Sequence, residues 1–345
     1  MKWRVPLNSG YSGPAVADGR VFITDWAEDP ESRTVDGTER AIALDEETGE
    51  IIWQKDFIKD FDSQIPTYGI TSAPIVEGDH LITTVGAEGG LVMAFDKRTG
   101  EEVWRALEPV QEIGYPQPVI IDAGGARQLI IWHPAALVAL DPATGEVHWK
   151  EDWETLYGMS VATPVRHGNY LLVTQFYGGS LMMKLDQDRP GASLLWKGQS
   201  RSEMPGETDG LHSMITTPIM EGNHVYGVCS YGELRALSAV TGERVWVSDE
   251  MVAQARWGTA FFVKHRDRYF VNNDDGFLMI AQFTPEGYVE QSRTKLIEPT
   301  SSAGFGPRKA FDRTVNWTHP AYANRHIFQR NDNEIIRASL DAADY

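Results

Sequence analysis

A chain of 345 residues with 31 Lys and Arg against 49 Asp and Glu carries a formal charge of −18 at neutral pH. That charge argues against a nucleic-acid partner, which needs a positive stripe to displace counterions from phosphate, and against simple adsorption to anionic lipid. Apolar residues make up 42% of the sequence, enough for a large core, but they never form the run of ~18 that a transmembrane helix needs, and the one cysteine, Cys229, excludes an intrachain disulfide.

The chain opens on Lys2-Trp3-Arg4-Val5-Pro6, which reads as a final strand lacking its hairpin, with no signal peptide before it. A repeating unit then begins. Its first marker is a Pro at a strand start, where the missing N–H costs nothing. It stands at Pro14, Pro74, Pro118, Pro164, Pro218 and Pro320, with Ala260 in the equivalent place of a sixth unit. A Gly turn and a second apolar strand follow, as in Asp18-Gly19-Arg20-Val21 and Glu77-Gly78-Asp79-His80.

The second marker is an eleven-residue pattern, A-x-D-x-x-T-G-x-x-x-W. It runs from Ala43 through Asp45 and Gly49 to Trp53, from Ala94 through Asp96 and Gly100 to Trp104, and from Ala139 through Asp141 and Gly145 to Trp149. A fourth copy runs from Ala236 through Ser238 and Gly242 to Trp246, and a degenerate one from Asp186 to Trp196. The pattern reads as a hairpin. Asp accepts backbone N–H bonds from the next two residues, Gly supplies the positive φ, and Trp returns on the second strand to fill a seam between units. These residues are expected to hold the fold and do no chemistry.

Trp residues at 53, 104, 149, 196 and 246 give a period of about 45–51 residues, the period of a β-propeller blade. The reading is all-β: one domain over 1–345, of seven four-stranded blades starting near 14, 74, 118, 164, 218, 260 and 320. Residues 1–7 complete the last blade and close the ring, so deletion of Met1 to Pro6 is expected to destabilise the whole molecule. Eight blades are the alternative, with one hidden between Gly198 and Ser213.

The repeat resembles that of the PQQ-like β-propeller superfamily, named for pyrroloquinoline quinone, and the resemblance covers Trp3 to Leu340. The superfamily includes eight-bladed quinoprotein dehydrogenases, which hold the quinone and Ca²⁺ at the centre of the ring. It also includes the lipoprotein of the outer-membrane barrel-assembly machinery, which works through protein contacts. The adjacent cysteine pair typical of the alcohol-oxidising members is absent. The strings Asn272 to Asp275 and Asn331 to Glu334 are oxygen-rich, as Ca²⁺ requires, but read as polar hairpin turns. No cofactor is therefore expected, with quinone and calcium as the alternative. The resemblance implies a periplasmic or otherwise extracytoplasmic protein, with a cytoplasmic one as the alternative.

Aligning the strand starts places small residues two before the Pro, except for Pro116, and Tyr11, Tyr115, Trp257 and Trp317 three before it, with Tyr68, Tyr157, His212 and Arg256 just upstream. These eight residues are the candidates for a ligand site at the central mouth, against the competing reading of inter-blade packing. Two acidic loops, Asp25 to Glu39 and Gln199 to His212, are expected to roof it, joined by an aromatic segment from Gln54 to Gly69. No catalytic residue is assigned, although His133, His212 and His319 stand out from nine scattered histidines. The expectation is a monomeric, non-catalytic binding or scaffolding module for a protein, small-molecule or carbohydrate ligand, with a quinone-dependent oxidoreductase or a carbohydrate-active propeller as alternatives.

Overall fold

A computed structural model describes residues 5, 6, 8, 12, 14–28, 37–66, 69–109, 113–303, 313–323, 325–331 and 333–341. The chain forms two compact units, residues 1–173 with 183–194 and residues 174–182 with 195–345.

The first unit opens with β1 (Ala15–Ala17), β2 (Arg20–Glu28), β3 (Gly37–Asp45) and β4 (Ile51–Asp56), then α1 (Phe57–Phe61). A second sheet follows: β5 (Ile75–Glu77), β6 (His80–Ala87), β7 (Gly90–Asp96) and β8 (Glu102–Ala106). The third is β9 (Val119–Ala123), β10 (Ala126–His133), β11 (Ala136–Leu140) and β12 (Val147–Asp152). A fourth sheet, β13 (Val165–His167), β14 (Tyr170–Gln175), β15 (Gly179–Leu185) and β16 (Ala192–Lys197), has its residues divided between the two units.

The second unit continues with β17 (Ile219–Glu221), β18 (His224–Val228), β19 (Leu234–Ser238) and β20 (Arg244–Ser248), then β21 (Ala260–His265), β22 (Arg268–Asn273), β23 (Phe277–Thr284) and β24 (Gly287–Lys295). A two-stranded ribbon, β25 (Ser301–Ser302) with β26 (Thr314–Val315), precedes the seventh sheet, β27 (Ala321–Ala323), β28 (His326–Arg330) and β29 (Ile335–Ser339). Every sheet is an antiparallel meander in chain order, and the seven sheets are the blades of a β-propeller. Six of them begin at the residue after the marker Pro and one at its equivalent, Ala260. The segment from 199 to 212 carries no strand, so no eighth blade lies there. Of the proposed closing strand, Trp3 and its neighbours lie outside the described residues.

Burial grades across each blade. The middle strands β6 and β7 are covered on both faces, whereas β8 leaves Glu102, Val103 and Arg105 in water. A propeller demands this, because each sheet has neighbours on both faces at its centre and solvent at its rim.

The eleven-residue pattern is a bulged hairpin. Its Ala pairs with its Trp across the strands in Ala43↔Trp53, Ala94↔Trp104, Ala139↔Trp149 and Ala236↔Trp246, and the register slips by one residue just beyond each Ala. The Asp carboxylate accepts N–H bonds from the second and third residues after it, not the first and second. Asp45 takes those of Glu47 (2.9 Å) and Thr48 (2.8 Å), and Asp141 those of Ala143 (2.7 Å) and Thr144 (3.1 Å). The Thr hydroxyl, whose role sequence reading missed, accepts from the residue after the Gly, as in Thr99 from Glu101 N–H at 3.2 Å.

The Trp reaches the turn of the next blade. Trp53 Nε1 donates to Lys97 O (3.2 Å), Trp104 Nε1 to Pro142 O (3.2 Å) and Trp196 Nε1 to Ala239 O (2.9 Å). Each ring lies on the Gly of that turn, so a Cβ on Gly100, Gly145 or Gly242 would come within 2.7–2.8 Å of the indole. Where the next turn is irregular the bond changes. Trp149 Nε1 turns to Gln128 Oε1 in its own blade (2.8 Å), and Trp246 Nε1 takes Thr284 O (2.9 Å).

Two expected surface features are partly internal. β2 and β3 pair as far as Glu28↔Gly37, so the loop assigned to Asp25–Glu39 is a long hairpin. The segment after Gln54 folds into α1, capped by Asp56, which accepts Lys59 N–H at 3.1 Å; its Phe57 is fully buried. Phe57 is thus a core residue and presents no aromatic edge.

Candidate functional site

Of the eight mouth candidates, Tyr11 and Tyr68 lie outside the described residues. In the first unit Tyr115 is buried, with its N–H donated to Ser160 O (2.9 Å) and its carbonyl accepting Thr71 Oγ1 (3.2 Å). Tyr157 is 77% exposed and holds a left-handed φ of 57°, an uncommon conformation for a bulky side chain. Beside the hairpin of β2 and β3, Asp25 accepts both ends of the Arg40 fork (2.9 and 2.6 Å) and two donors of Asn8 (both 2.9 Å). Burial pushes the Asp25 carboxyl up, but these partners outweigh it and hold it below the usual range. Glu39, 2% exposed, meets no such cation among the described residues. Burial, with a smaller repulsion from Asp25, pushes its carboxyl up to about 8, against the Ile70 N–H that favours the charge.

The second unit gathers three candidates, Arg256, Trp257 and Trp317. The Trp257 and Trp317 rings meet edge to face at 6.3 Å, and the Arg256 guanidinium lies 4.5 Å over Trp257 and 5.4 Å over Phe176. Glu203 accepts from Arg256 Nε (3.0 Å) and Nη2 (2.5 Å), while Tyr177 OH accepts from Nη2 (3.2 Å). Burial opposes the charge of Arg256, but Glu203 outweighs it and its pKa lies above the ordinary value. Trp257 has φ 63° and is fixed by its N–H to Ser230 O (2.9 Å).

His212 does not join them at a surface. It is fully buried, with Nδ1 3.0 Å from Phe176 O and Nε2 3.1 Å from Asp209 Oδ1; burial lowers its pKa although Asp209 acts the other way. His133 is likewise buried, its pKa drawn down to about 4 by burial, and His319 packs on Phe261 at 4.0 Å. The loop from Gln199 to His212 is fastened from beneath by Arg235, a fully buried side chain that donates to Gly210 O (2.9 Å) and Thr208 Oγ1 (2.8 Å) and pairs with Glu233. The loop is a built platform.

Behind the tryptophans lies a polar group that sequence reading assigned to a turn. Asp274, completely buried, accepts from Arg313 Nη2 (2.9 Å) and Thr259 N–H (3.1 Å), and its carbonyl accepts Asn316 N–H (2.8 Å). Burial raises its carboxyl pKa in spite of Arg313. Asn272 and Asn273 end β22 and lead into that hairpin turn. Both are buried, Asn272 accepting Tyr322 OH (2.5 Å) and Asn273 accepting Phe277 N–H (3.0 Å) while donating to Met251 O (3.0 Å).

This donor set does not fit the calcium that the quinoprotein branch of the fold holds with its quinone. Ca²⁺ takes six to eight oxygen ligands, carboxylates and carbonyls foremost. The oxygens of Asn272 and Asn273 are already spent on protein donors, as is Asp274 Oδ2, and Asn331 Oδ1 accepts the N–H groups of Asn333 and Glu334, both at 2.8 Å. Among the described residues no three His, Cys, Asp or Glu side chains are grouped to hold a metal, and no helix is long and apolar enough to cross a membrane.

The family model described as outer membrane protein assembly factor BamB matches residues 2–248. The chain belongs to this family. One BamB-family relative, outer membrane protein assembly factor BamB of Yersinia pestis, is 25% identical over 252 residues, 68% of this chain and 59% of that protein. The chain thus spans little more than half the length of that relative. Quinohemoprotein alcohol dehydrogenase of Comamonas testosteroni is 32% identical over 127 residues, 36% of this chain and 16% of that enzyme. The crystal structure of BamB from Moraxella catarrhalis shares the fold, with a TM-score of 0.59, 16% identity, and coverage of 96% of this chain and 94% of that one.

Proposed function

We propose that this chain is a non-catalytic binding and scaffolding propeller of the bacterial cell envelope, acting in outer-membrane protein assembly, as the names of its relatives indicate for them. The observation that carries this reading is the family match over residues 2–248. It is supported by where the conspicuous side chains go: the repeated Asp, Gly and Trp residues are spent on hairpins and seams, and the buried His212 on contacts to Phe176 O and Asp209 within the fold. The rigid loop from Gln199 to His212, with Met204 48% exposed at its tip, is the kind of fixed surface a protein partner uses.

The test is to supply the chain, behind an export leader, to a bacterium lacking its own BamB-type factor and to measure its outer-membrane barrel proteins. Recovery of their levels is expected. A folded, exported chain that restores nothing overturns the reading. Calorimetric titration with pyrroloquinoline quinone and Ca²⁺ is expected to give no saturable heat, and tight one-to-one binding would replace a scaffold with a redox enzyme.

A further inference from the structure

Methionine serves this chain mainly as core filler. Met93, Met182, Met183, Met251 and Met279 are at most 1% exposed, and Met220 is 8% exposed. Met204, at the tip of the loop from Gln199 to His212, is 48% exposed and is the one exposed methionine among the described residues. Its backbone is pinned while its side chain stands in water. Met204 N–H donates to Ser202 Oγ (3.1 Å), and Met204 O accepts N–H bonds from Glu207 (2.9 Å) and Thr208 (3.1 Å). A thioether held in the open is the one a peroxide reaches first, because the same sulfur in the core is screened by packed neighbours.

The contact that Sδ makes gives such an oxidation a consequence. Tyr231 OH lies 3.8 Å from Met204 Sδ and 3.4 Å from Glu203 Oε1. One phenolic proton thus faces two acceptors, a weak thioether and a strong carboxylate, and it goes to the carboxylate. Tyr231 therefore clasps Glu203, the residue that ties the loop to the rest of the unit. Glu203 Oε2 accepts from Arg256 Nε (3.0 Å), and the Glu203 carbonyl accepts from Ser230 Oγ (2.9 Å). Oxidation replaces the thioether by a polar sulfoxide, whose oxygen is a strong acceptor. The balance at Tyr231 then tips toward residue 204, and Glu203 loses a donor.

We propose that Met204 is an oxidation site for hydrogen peroxide and that its sulfoxide loosens the loop from Gln199 to His212. The sulfur lone pair attacks one peroxide oxygen. The S–O bond forms as the O–O bond breaks, sulfur gives up two electrons, and the second oxygen leaves with both peroxide protons as water. This loop is the surface that the scaffolding reading gives to a partner, yet the oxidation needs no partner and its test uses none.

The test treats the folded full chain with dilute hydrogen peroxide at neutral pH, quenches samples with free methionine, and follows the gain of one oxygen at each methionine by mass spectrometry of the digest. Met204 is expected to oxidise at least tenfold faster than Met93, Met182, Met183, Met251 or Met279. Brief trypsin treatment of the still-folded samples reads the loop, because Arg201 is exposed within it. Cleavage after Arg201 is expected to be at least threefold faster once Met204 is oxidised. Met204→Leu, which keeps an apolar side chain of similar size, is expected to cleave slowly before and after peroxide, with an unchanged Tm. Tyr231→Phe removes the contested proton and is expected to cleave fast in both states. Oxidation of Met204 no faster than that of the buried methionines overturns the proposal. So does a cleavage rate that peroxide leaves unchanged in the wild-type chain or changes equally in Met204→Leu, and so does slow cleavage of Tyr231→Phe.

Discussion

A single glycine decides whether an indole can sit at a blade seam. Gly145 has φ 78°, and a Cβ there would meet Trp104 at 2.7 Å; Gly168 has a similar φ of 56° with open space around it. Gly168→Ala should therefore cost only the left-handed conformation, about 1 kcal/mol, and Gly145→Ala that plus displacement of the ring, about 2–4 kcal/mol. Urea unfolding of the two variants checks this, and equal losses would mean the ring is not seated on the turn. Glu39 shows the same economy in electrostatics. Its folded pKa of about 8 lies above the ordinary 4.5, so folding takes up a proton. The stability tied to that proton is complete below pH ~4.5 and is lost as pH rises through about 8. Glu39→Gln, which keeps an acceptor for Ile70 N–H, should be more stable than wild type by about 2–4 kcal/mol at pH 8, at ~1.4 kcal/mol per pKa unit, and equal to it near pH 4. Parallel stability curves for the two proteins between pH 4 and 8 would contradict the buried carboxyl whose pKa burial raises.

At the scale of the element, the hairpin turn is tuned by its first residue. Asp45, Asp96 and Asp141 each hold two backbone N–H groups, whereas Ser238 holds one, that of Thr241 at 3.2 Å. Ser238→Asp should supply the missing bond and raise stability by about 0.5–1 kcal/mol. A lower Tm in this variant would show that the fifth blade's turn is shaped for Ser. The turns were legible in the sequence because the hydrogen-bond partners of Asp and Thr lie within three residues of them, although which N–H groups the Asp takes and the part of the Thr hydroxyl were not. The site in the second unit was legible only in part. Arg256, Trp257 and Trp317 stand at an aligned strand start, and that position announced them. Asp274 and Arg313 meet across 39 residues, and Glu203 and Arg256 across 53, through backbone paths that no local spacing records. The string Asn272 to Asp275 read as a polar hairpin turn, and it does lead from β22 into the turn before β23, but only the packing around it shows that Asn272, Asn273 and Asp274 are buried.

At the scale of the whole molecule, the repeat makes stability a sum of blades and seams, coupled chiefly between neighbours. The seams state which neighbours. Trp53 docks on the turn at Lys97 to Gly100, and Trp104 lies on the strand that leaves that same turn for the next one, so the two share the hairpin of β7 and β8. Trp196 docks on Ala239 and Gly242 and shares no partner with either. Replacing each Trp by Phe removes one hydrogen bond and part of the buried area, a loss of about 1–3 kcal/mol apiece. The double change at 53 and 104 should depart from the sum of its singles by about 0.5–2 kcal/mol, because the second loss falls on a hairpin already loosened by the first. The double change at 53 and 196 should add to within about 0.5 kcal/mol. Denaturant unfolding of the three singles and two doubles decides it. Equal coupling in both pairs would mean that the propeller unfolds as one unit whose seams are not felt locally, and the nearest-neighbour account of the repeat would have to be given up.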